Sequence, residues 1–425
     1  MAELETKVPN IVIIITDDQG YADVGFNPLH GPGVATPNID RIARDGVIFQ
    51  EGYVTGSMCV PSRAALLTGR YQQRSGVHWA DVAVRPVRLL ADYLRPAGYA
   101  STALGKWHET VDIAGAGNPT ERGFDEFYGF NHGGRNYFDL SNTMTDFAPL
   151  YRAKKKLVGE QGYLTHRLTD EAVDFIKRHR EEPFLLYLAY NAVHTPLQAH
   201  IEDVEKHHVH STDPARKILL AMIDYLDTGV GRVLGALDEA GIYDDTLIFF
   251  LTDNGGSVLA TRADNTPLSG EKLQLLEGGI RVPFAVSWPA RIPGGRSVKG
   301  PVSTLDILPT CLAAANQPLP ASLDGVNLLP MLEEKAALPE RDLFWWWKTG
   351  PFAGGWAIRS DGWKLIRAPD AAGELFSLFH LSVDPGESKD LAAEEPERVA
   401  ELRMKFEHWS KGVDADAASP DPAFN

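Results

Sequence analysis

Two segments far apart in this chain end in nearly the same way. The first runs Ile13-Ile14-Ile15-Thr16-Asp17-Asp18-Gln19-Gly20 and the second Phe249-Phe250-Leu251-Thr252-Asp253-Asn254-Gly255-Gly256. Each is a strand-length apolar run that stops in a polar, glycine-closed turn. A strand that is apolar on both sides must be covered on both faces, as in parallel sheets flanked by helices. In such sheets ligands gather beyond the carboxyl ends of the strands, so both turns are expected on one rim. Asp17, Asp18, Asp253 and the amide oxygen of Asn254 would repel one another there unless something positive lay between them. The all-oxygen set is hard, which favours Ca²⁺, or Mg²⁺ in its place, over zinc. Singly, each Asp would pass for a turn or helix-cap residue; as a matched pair, the two turns point to metal binding.

The same alternation extends along most of the chain. Residues 37–46 have helical apolar spacing closed by Gly46, 183–190 form a strand, 215–241 a long amphipathic helix and 246–251 a further strand. This predicts an α/β fold: a mostly parallel sheet with helices on both faces. From residue 341 the character changes. Short alternating segments at 356–359, 363–367 and 374–380 are separated by turns and followed by a helical stretch at 396–411. They predict a small C-terminal antiparallel sheet with one helix. The expected division is therefore a catalytic domain over 1–340 and a small α+β subdomain over 341–425.

At 425 residues the chain exceeds one small core, and its 44% hydrophobic and 23% charged content is that of a globular protein. No apolar run approaches the ~20 residues needed to cross a bilayer, so no membrane partner is expected. Acidic residues outnumber basic ones by 57 to 41, a formal charge of −16. That field disfavours nucleic acid, although a local pocket or cation can still hold a small anion. The basic run at 152–156 is expected to be a solvated loop or helix end. No apolar leader precedes the first strand, so the location is cytoplasmic unless a signal was removed, in which case it is periplasmic or secreted. The oligomeric state is left open.

The two cysteines differ in setting. Cys311 lies in an apolar helical stretch and is expected to be buried and inert. Cys59 opens Cys59-Val60-Pro61-Ser62-Arg63-Ala64-Ala65-Leu66-Leu67-Thr68-Gly69-Arg70. Pro61 suits a first helical turn, which puts Cys59 at the N-terminal mouth of the helix. Unpaired N–H groups and the helix dipole would lower its thiol pKa there, with Arg63 one turn on pointing back to the same place.

This segment resembles the Cys-x-Pro-Ser-Arg signature of the type I, formylglycine-dependent sulfatases, members of the alkaline phosphatase-like superfamily. Leu104-Gly105-Lys106-Trp107-His108 is similar to that family's Gly-Lys-Trp-His element. Asn191-Ala192-Val193-His194-Thr195-Pro196 is similar to its His-x-Pro loop. Gly270-Glu271-Lys272 and Glu277-Gly278-Gly279-Ile280-Arg281-Val282-Pro283 are similar to its Gly-x-Lys and Glu-Gly-Gly-x-Arg-Val-Pro block. One departure stands at Glu109-Thr110, where many relatives place Leu-Gly; it touches the local loop rather than the chemistry.

The resemblance implies an alkaline phosphatase-like fold and hydrolysis of a sulfate ester, most naturally on a sulfated sugar or glycan. Cys59 would be converted to formylglycine by a formylglycine-generating enzyme, and its hydrate would supply the nucleophilic hydroxyl. The metal ligands would be Asp17, Asp18, Asp253 and Asn254, with residue 59 as the fifth. Arg63 would hold the hydrate, and Lys106 and Lys272 would lie against sulfate oxygens. His194 would protonate the leaving group, sharing the task with Lys272, and His108 would take a proton from the second hydroxyl. Two alternatives remain: a formylglycine-dependent phosphonate monoester hydrolase or phosphodiesterase, and a catalytically silent sulfoglycan-binding homologue. A two-zinc phosphomonoesterase lacks its extra His and Asp ligands here. Among other residues, His207, His208 and His210 are expected in a polar loop. Residues 345–347 are expected as strand core with one face that could stack on a sugar. His132 and Arg135, in an aromatic loop over 129–138, are candidates for substrate recognition.

Overall fold

The structure is a computed structural model that describes residues 8–27, 34–79, 87–108, 113–140, 148–368 and 375–417. The Glu109-Thr110 departure and the start of the 374–380 segment lie outside the described residues. Among them a ten-stranded sheet is formed by β1 (Asn10–Thr16), β2 (Gly46–Tyr53), β3 (Ala100–Lys106), β4 (Glu126–Phe130), β5 (Tyr151–Arg152), β6 (Lys155–Lys156), β7 (Phe184–Ala189), β8 (Thr246–Thr252), β9 (Phe284–Ser287) and β10 (Arg296–Ser303). Their order across the sheet is β10-β2-β9-β8-β1-β7-β3-β4-β5-β6. The central pairings β8–β1, β1–β7, β7–β3 and β3–β4 are all parallel. The predicted α/β class holds.

Period-two alternation explains the two-sided covering. Ile11, Ile13 and Ile15 pack into a core with Val60 and Leu67 of the helix Cys59–Thr68 and Leu308 of the helix Ile307–Ala314. Val12 and Ile14 point the other way, toward Leu168 of the helix Leu164–His179 and Leu226 of the helix Pro214–Glu239. All of these are essentially inaccessible to water, each worth about 1.5–3 kcal/mol of transfer free energy before entropy is set against it. Cys311 is buried in the first core, as expected. No helix among the described residues is long and apolar enough to cross a membrane.

Two local expectations are corrected. The helix Pro37–Arg44 ends at Asp45, and Gly46 instead begins β2. A Cβ at Gly46 would lie 2.0 Å from the Val286 carbonyl oxygen, so this glycine answers to close strand approach rather than to helix termination. The basic run at 152–156 is solvated as expected, but as the β5–β6 hairpin at the edge of the sheet rather than a helix end. Arg152 pairs with Glu171 there (Nη1 to Oε2, 2.8 Å). Charged side chains on an outermost strand oppose pairing with another chain.

A second sheet holds β11 (Leu343–Trp346), β12 (Trp356–Ser360), β13 (Trp363–Arg367) and β14 (Phe376–His380), antiparallel and in sequence order. The helix Pro396–Ala417 covers it, with Phe406 stacked on Trp356 at 4.1 Å between ring centroids. The tryptophan run is strand core as expected, with Trp345 and Trp347 buried and Trp346 half-buried. Trp345 is buried and donates its Nε1–H to Val54 O (2.7 Å), Trp346 packs edge-on against Phe406, and Trp347 lies against Trp79.

The two sheets are joined by a buried ion cluster. Lys364 of β13 reaches Glu277 Oε1 and Glu387 Oε1, each at 2.9 Å, and Tyr53 donates to Glu277 Oε2 at 2.7 Å. Lys364→Met leaves two buried carboxylates facing one another and is expected to cost about 3–5 kcal/mol. Urea unfolding measures this; a midpoint equal to that of the parent chain contradicts the assignment.

Candidate active site

β1 and β8 pair in register up to Thr16 and Thr252, so the turns that follow lie side by side. The amide of Asp253 donates to Thr16 O (3.1 Å), and that of Asp18 approaches Asp253 Oδ1 (3.3 Å). β7 and β3 run the same way beside them and deliver Asn191–His194 and Lys106–His108 to the same rim. The amide of Asp17 donates to Ala192 O, and that of Val193 to Asp17 O, so the His194 loop is sewn to the end of β1. β2 is antiparallel to β9, which is antiparallel to β8, so β2 also ends on this rim and leads into Cys59. The helix Cys59–Thr68 is buried along its whole length and ends at Gly69, whose φ of 63° makes the left-handed cap.

The predicted residues converge. Asp17 Oδ1 lies 3.6 Å from Cys59 Sγ, and Asp17 Oδ2 accepts from Lys106 Nζ at 2.6 Å. Lys272 Nζ donates to both oxygens of Asp18 (2.7 and 2.8 Å) and lies 3.5 Å from Cys59 Sγ. Arg63 places Nε at 2.9 Å and Nη2 at 2.8 Å from Asp253 Oδ2, and its Nη1 donates to Lys106 O (3.0 Å). Its guanidinium thus braces Asp253 and the end of β3, where the charges of Asp17 and Cys59 also reach it. His194 Nε2 is 3.6 Å from Asp18 Oδ2, while its Nδ1 lies 2.8 Å from Thr195 O.

Charge is finely matched among these groups. Burial and then Asp253 raise the Asp17 carboxyl above its usual range despite Lys106. Burial would do the same to Asp18, but Lys272 and His194 overcome it and hold that carboxyl low. Asp253 is likewise held low against its burial by Arg63 and then Lys106. The Cys59 thiol was expected to be acidified by the helix mouth. Instead burial, and then the charge of Asp253, push it up to about 12, outweighing Lys106 and Lys272. Burial and the charges of Lys106 and Arg63 push His108 well below its usual value, which keeps the ring neutral and able to accept a proton.

A divalent cation fits this donor set. Asn254 donates its Nδ2–H to Asp18 Oδ1 (2.7 Å), while its buried Oδ1 has no hydrogen-bond partner among the described residues. A buried amide oxygen left without a partner is costly unless something electropositive meets it. Ligand atoms of Asp17, Asp18, Cys59 and His194 also lie within 4.8 Å of one another.

Other candidates make contacts of their own. Arg135 is buried, and its guanidinium donates to the carbonyls of Ala148, Asp139 and Leu140, so it braces its own loop. His132 is exposed and stacks on His108. His207 is buried with Nε2 at 2.9 Å from Asp224 Oδ2 and belongs to a surface turn. Tyr137, which the sequence did not single out, donates its hydroxyl to Asn191 O (2.6 Å) and lies 2.9 Å from His194 O, anchoring the His194 loop. An aromatic in a glycine-rich loop carries no periodic signal that would have marked it.

Comparison with known proteins decides the family. A profile described as Sulfatase matches residues 9–317, and one described as N-sulphoglucosamine sulphohydrolase, C-terminal, matches residues 271–411. The chain belongs to the sulfatase family. It is a sulfuric ester hydrolase with the alkaline phosphatase-like fold of that family. N-acetylgalactosamine-6-sulfatase of Sus scrofa is 30% identical over 454 residues, covering 93% of this chain and 84% of that protein. The crystal structure of Ps i-CgsB is 35% identical with a TM-score of 0.87, covering 95% of this chain and 93% of that one. The same protein in complex with k-i-k-neocarrahexaose superposes with a TM-score of 0.86 at 34% identity and the same coverage. The phosphonate monoester hydrolase of Agrobacterium radiobacter shares the fold at 21% identity and a TM-score of 0.69, with 96% of each chain covered.

The Arg63–Asp253 pair is completely buried, so Arg63→Met is expected to lose about 3–5 kcal/mol by stranding a carboxylate, and adding Asp253→Leu to recover part of that loss. A double-mutant cycle by urea unfolding in chelator checks this; strictly additive losses contradict it.

Proposed function

We propose that this sulfatase removes sulfate from a carbohydrate sulfate ester, using a formylglycine derived from Cys59 and a Ca²⁺ ion held by Asp17, Asp18, Asp253, Asn254 and residue 59. The observation that carries the reading is the buried Asn254 Oδ1, without a hydrogen-bond partner among the described residues, on a side chain whose Nδ2 meets Asp18 within the ring of Lys106, Lys272 and Arg63. The carbohydrate class is supported by what the pig enzyme's name and the neocarrahexaose complex of Ps i-CgsB say of those proteins. We assign residues 1–340 to the catalytic domain and 341–425 to a subdomain that buttresses it through Lys364 and Glu277.

When bound, the metal and the hydrated aldehyde supply an acidified hydroxyl as nucleophile. The remaining work falls to this chain's side chains. Lys106 and Lys272 receive the negative charge that builds on the sulfate oxygens. Arg63 fixes Asp253 and the end of β3, and so the place of Lys106. The contact of His194 Nδ1 with Thr195 O turns Nε2 into the site, where it donates a proton to the leaving oxygen, with Lys272 beside it. Neutral His108 accepts the proton released when sulfate departs, which regenerates the aldehyde without water attacking sulfur.

Maturation by a formylglycine-generating enzyme is expected to lighten the Cys59 peptide by about 18 Da, through loss of SH₂ and gain of O. Intact mass of the active protein checks this, and full activity with an unchanged thiol rules the reading out. Stripping divalent cations is expected to abolish sulfate release and to lower the melting temperature, with Ca²⁺ restoring both, because three carboxylates then share one buried site without it. Rates on an aryl sulfate and on a phosphonate monoester separate this enzyme from a phosphonate hydrolase on the same fold: preference for the phosphonate would reverse the assignment.

A further inference from the structure

The segment that follows β4 folds back over the rim between the two histidines assigned to proton transfer. A Cβ on Gly134 would lie 2.9 Å from His194 Nδ1 and 2.7 Å from Thr195 O, so that backbone is in direct contact with the His194 loop. A Cβ on Gly133 would lie 3.4 Å from His108 Cε1. The ring of His132 is nearly parallel to that of His108, 13° between planes and 6.3 Å between centroids, an offset stack. His132 Nδ1 is 3.4 Å from the Gly134 amide, which ties the stack to the glycine contact. The segment is fastened from behind. Tyr137 donates its hydroxyl to Asn191 O and its amide to Gln198 Oε1, and buried Arg135 bonds to three carbonyls of the same loop. Gly134 has no positive φ, so its lack of a side chain serves the contact and not the backbone conformation.

We propose that His132-Gly133-Gly134 is a wedge that fixes the orientation and separation of His108 and His194, with His132 the positioning residue for His108 and Gly134 for His194. The proposal rests on the reading that His194 protonates the leaving oxygen and His108 takes the later proton. The two contacts then have different signatures. Displacing His194 harms esters whose leaving alkoxide needs a proton and spares those whose leaving phenoxide does not. Displacing His108 harms the step that follows ester cleavage and so is blind to the leaving group.

The test compares Gly134→Ala, His132→Ala and His132→Phe, matched for formylglycine content by intact mass, on 4-nitrophenyl sulfate and on a 6-sulfated hexose. Gly134→Ala is expected to lower kcat on the sugar sulfate by about ten- to a hundredfold and on the nitrophenyl ester by less than about threefold, with KM within about twofold on both. His132→Ala is expected to slow the step after ester cleavage about tenfold on both esters, read in single-turnover sulfate release after the leaving alcohol has departed, and His132→Phe, which keeps a flat ring, to restore most of it. Equal losses on the two esters for Gly134→Ala, or no rescue by phenylalanine, overturn the proposal. Histidine ring ¹H–¹³C spectra provide a readout independent of turnover. The resonances of His194 should move in Gly134→Ala and those of His108 in His132→Ala; unmoved resonances also overturn it. Should the matured parent protein release sulfate from neither ester, the reading of the site fails while the spectra still decide the wedge. Should Gly134→Ala not fold, the His132 pair decides by itself.

Discussion

The register of β1 against β8 brings three carboxylates into one buried place, and the rest of the rim is arranged around that fact. Pairing runs residue by residue to Thr16 and Thr252, so Asp17, Asp18 and Asp253 have no way to avoid one another. Ions stripped of water cost several kcal/mol each unless they are paired with good geometry. Each carboxylate here meets a different cation from a different part of the chain: Lys106 from the end of β3, Lys272 from the loop after β8, and Arg63 from the helix that Cys59 opens. The site therefore exists only when the whole sheet has assembled. The unfavourable electrostatics are offset by the wholly buried strands beneath, a division of labour open to a sheet covered on both faces.

The same logic links the small sheet to the chemistry. Lys272 and Glu277 belong to one segment, and Glu277 is held by Lys364 of β13 and by Tyr53 at the end of β2. That segment must lie directly on the turn that carries Asp253 and Asn254. A Cβ at Gly255 would be 1.8 Å from Gly278 O, and one at Gly278 would be 2.3 Å from Gly270 O. The glycines of the Glu-Gly-Gly and Asp-Asn-Gly-Gly motifs are thus two sides of one backbone contact. The C-terminal sheet consequently supports this segment through buried Lys364, and beside it through Trp345, which bonds to Val54 and shares a core with Met58, the neighbour of Cys59.

Much of this was legible in the sequence. Apolar strands of the right length, closed by Asp-Asp and Asp-Asn turns, carry their sheet position in their composition. Cys59, Arg63, Lys106, His108, His194 and Lys272 stand in motifs whose residue types make sense only together. What the sequence hid was set by distance rather than by type. Gly46 looks like a helix stop because its real constraint, the Val286 carbonyl, lies on a strand far along the chain. Arg135 looks like a substrate ligand because its partners are backbone carbonyls, which no residue type announces. The acidity of the Cys59 thiol was misjudged because a helix dipole is a local property, whereas the burial and the Asp253 charge that outweigh it come from the tertiary fold.

Residues at the carboxyl ends of the central strands converge as expected, since strand register is propagated from the core and leaves little freedom at the tips. Arg135 and Tyr137, on the loop after β4, were misread or overlooked. Asp17, Asp18, Asp253 and Lys106 sit on or directly after strand ends, whereas His194 and Lys272 come from the longer loops that follow β7 and β8. A chain can therefore declare its reaction through a handful of motifs while its choice of substrate stays distributed over carbonyl contacts and ring stacks, such as that of His132 on His108, that no motif encodes.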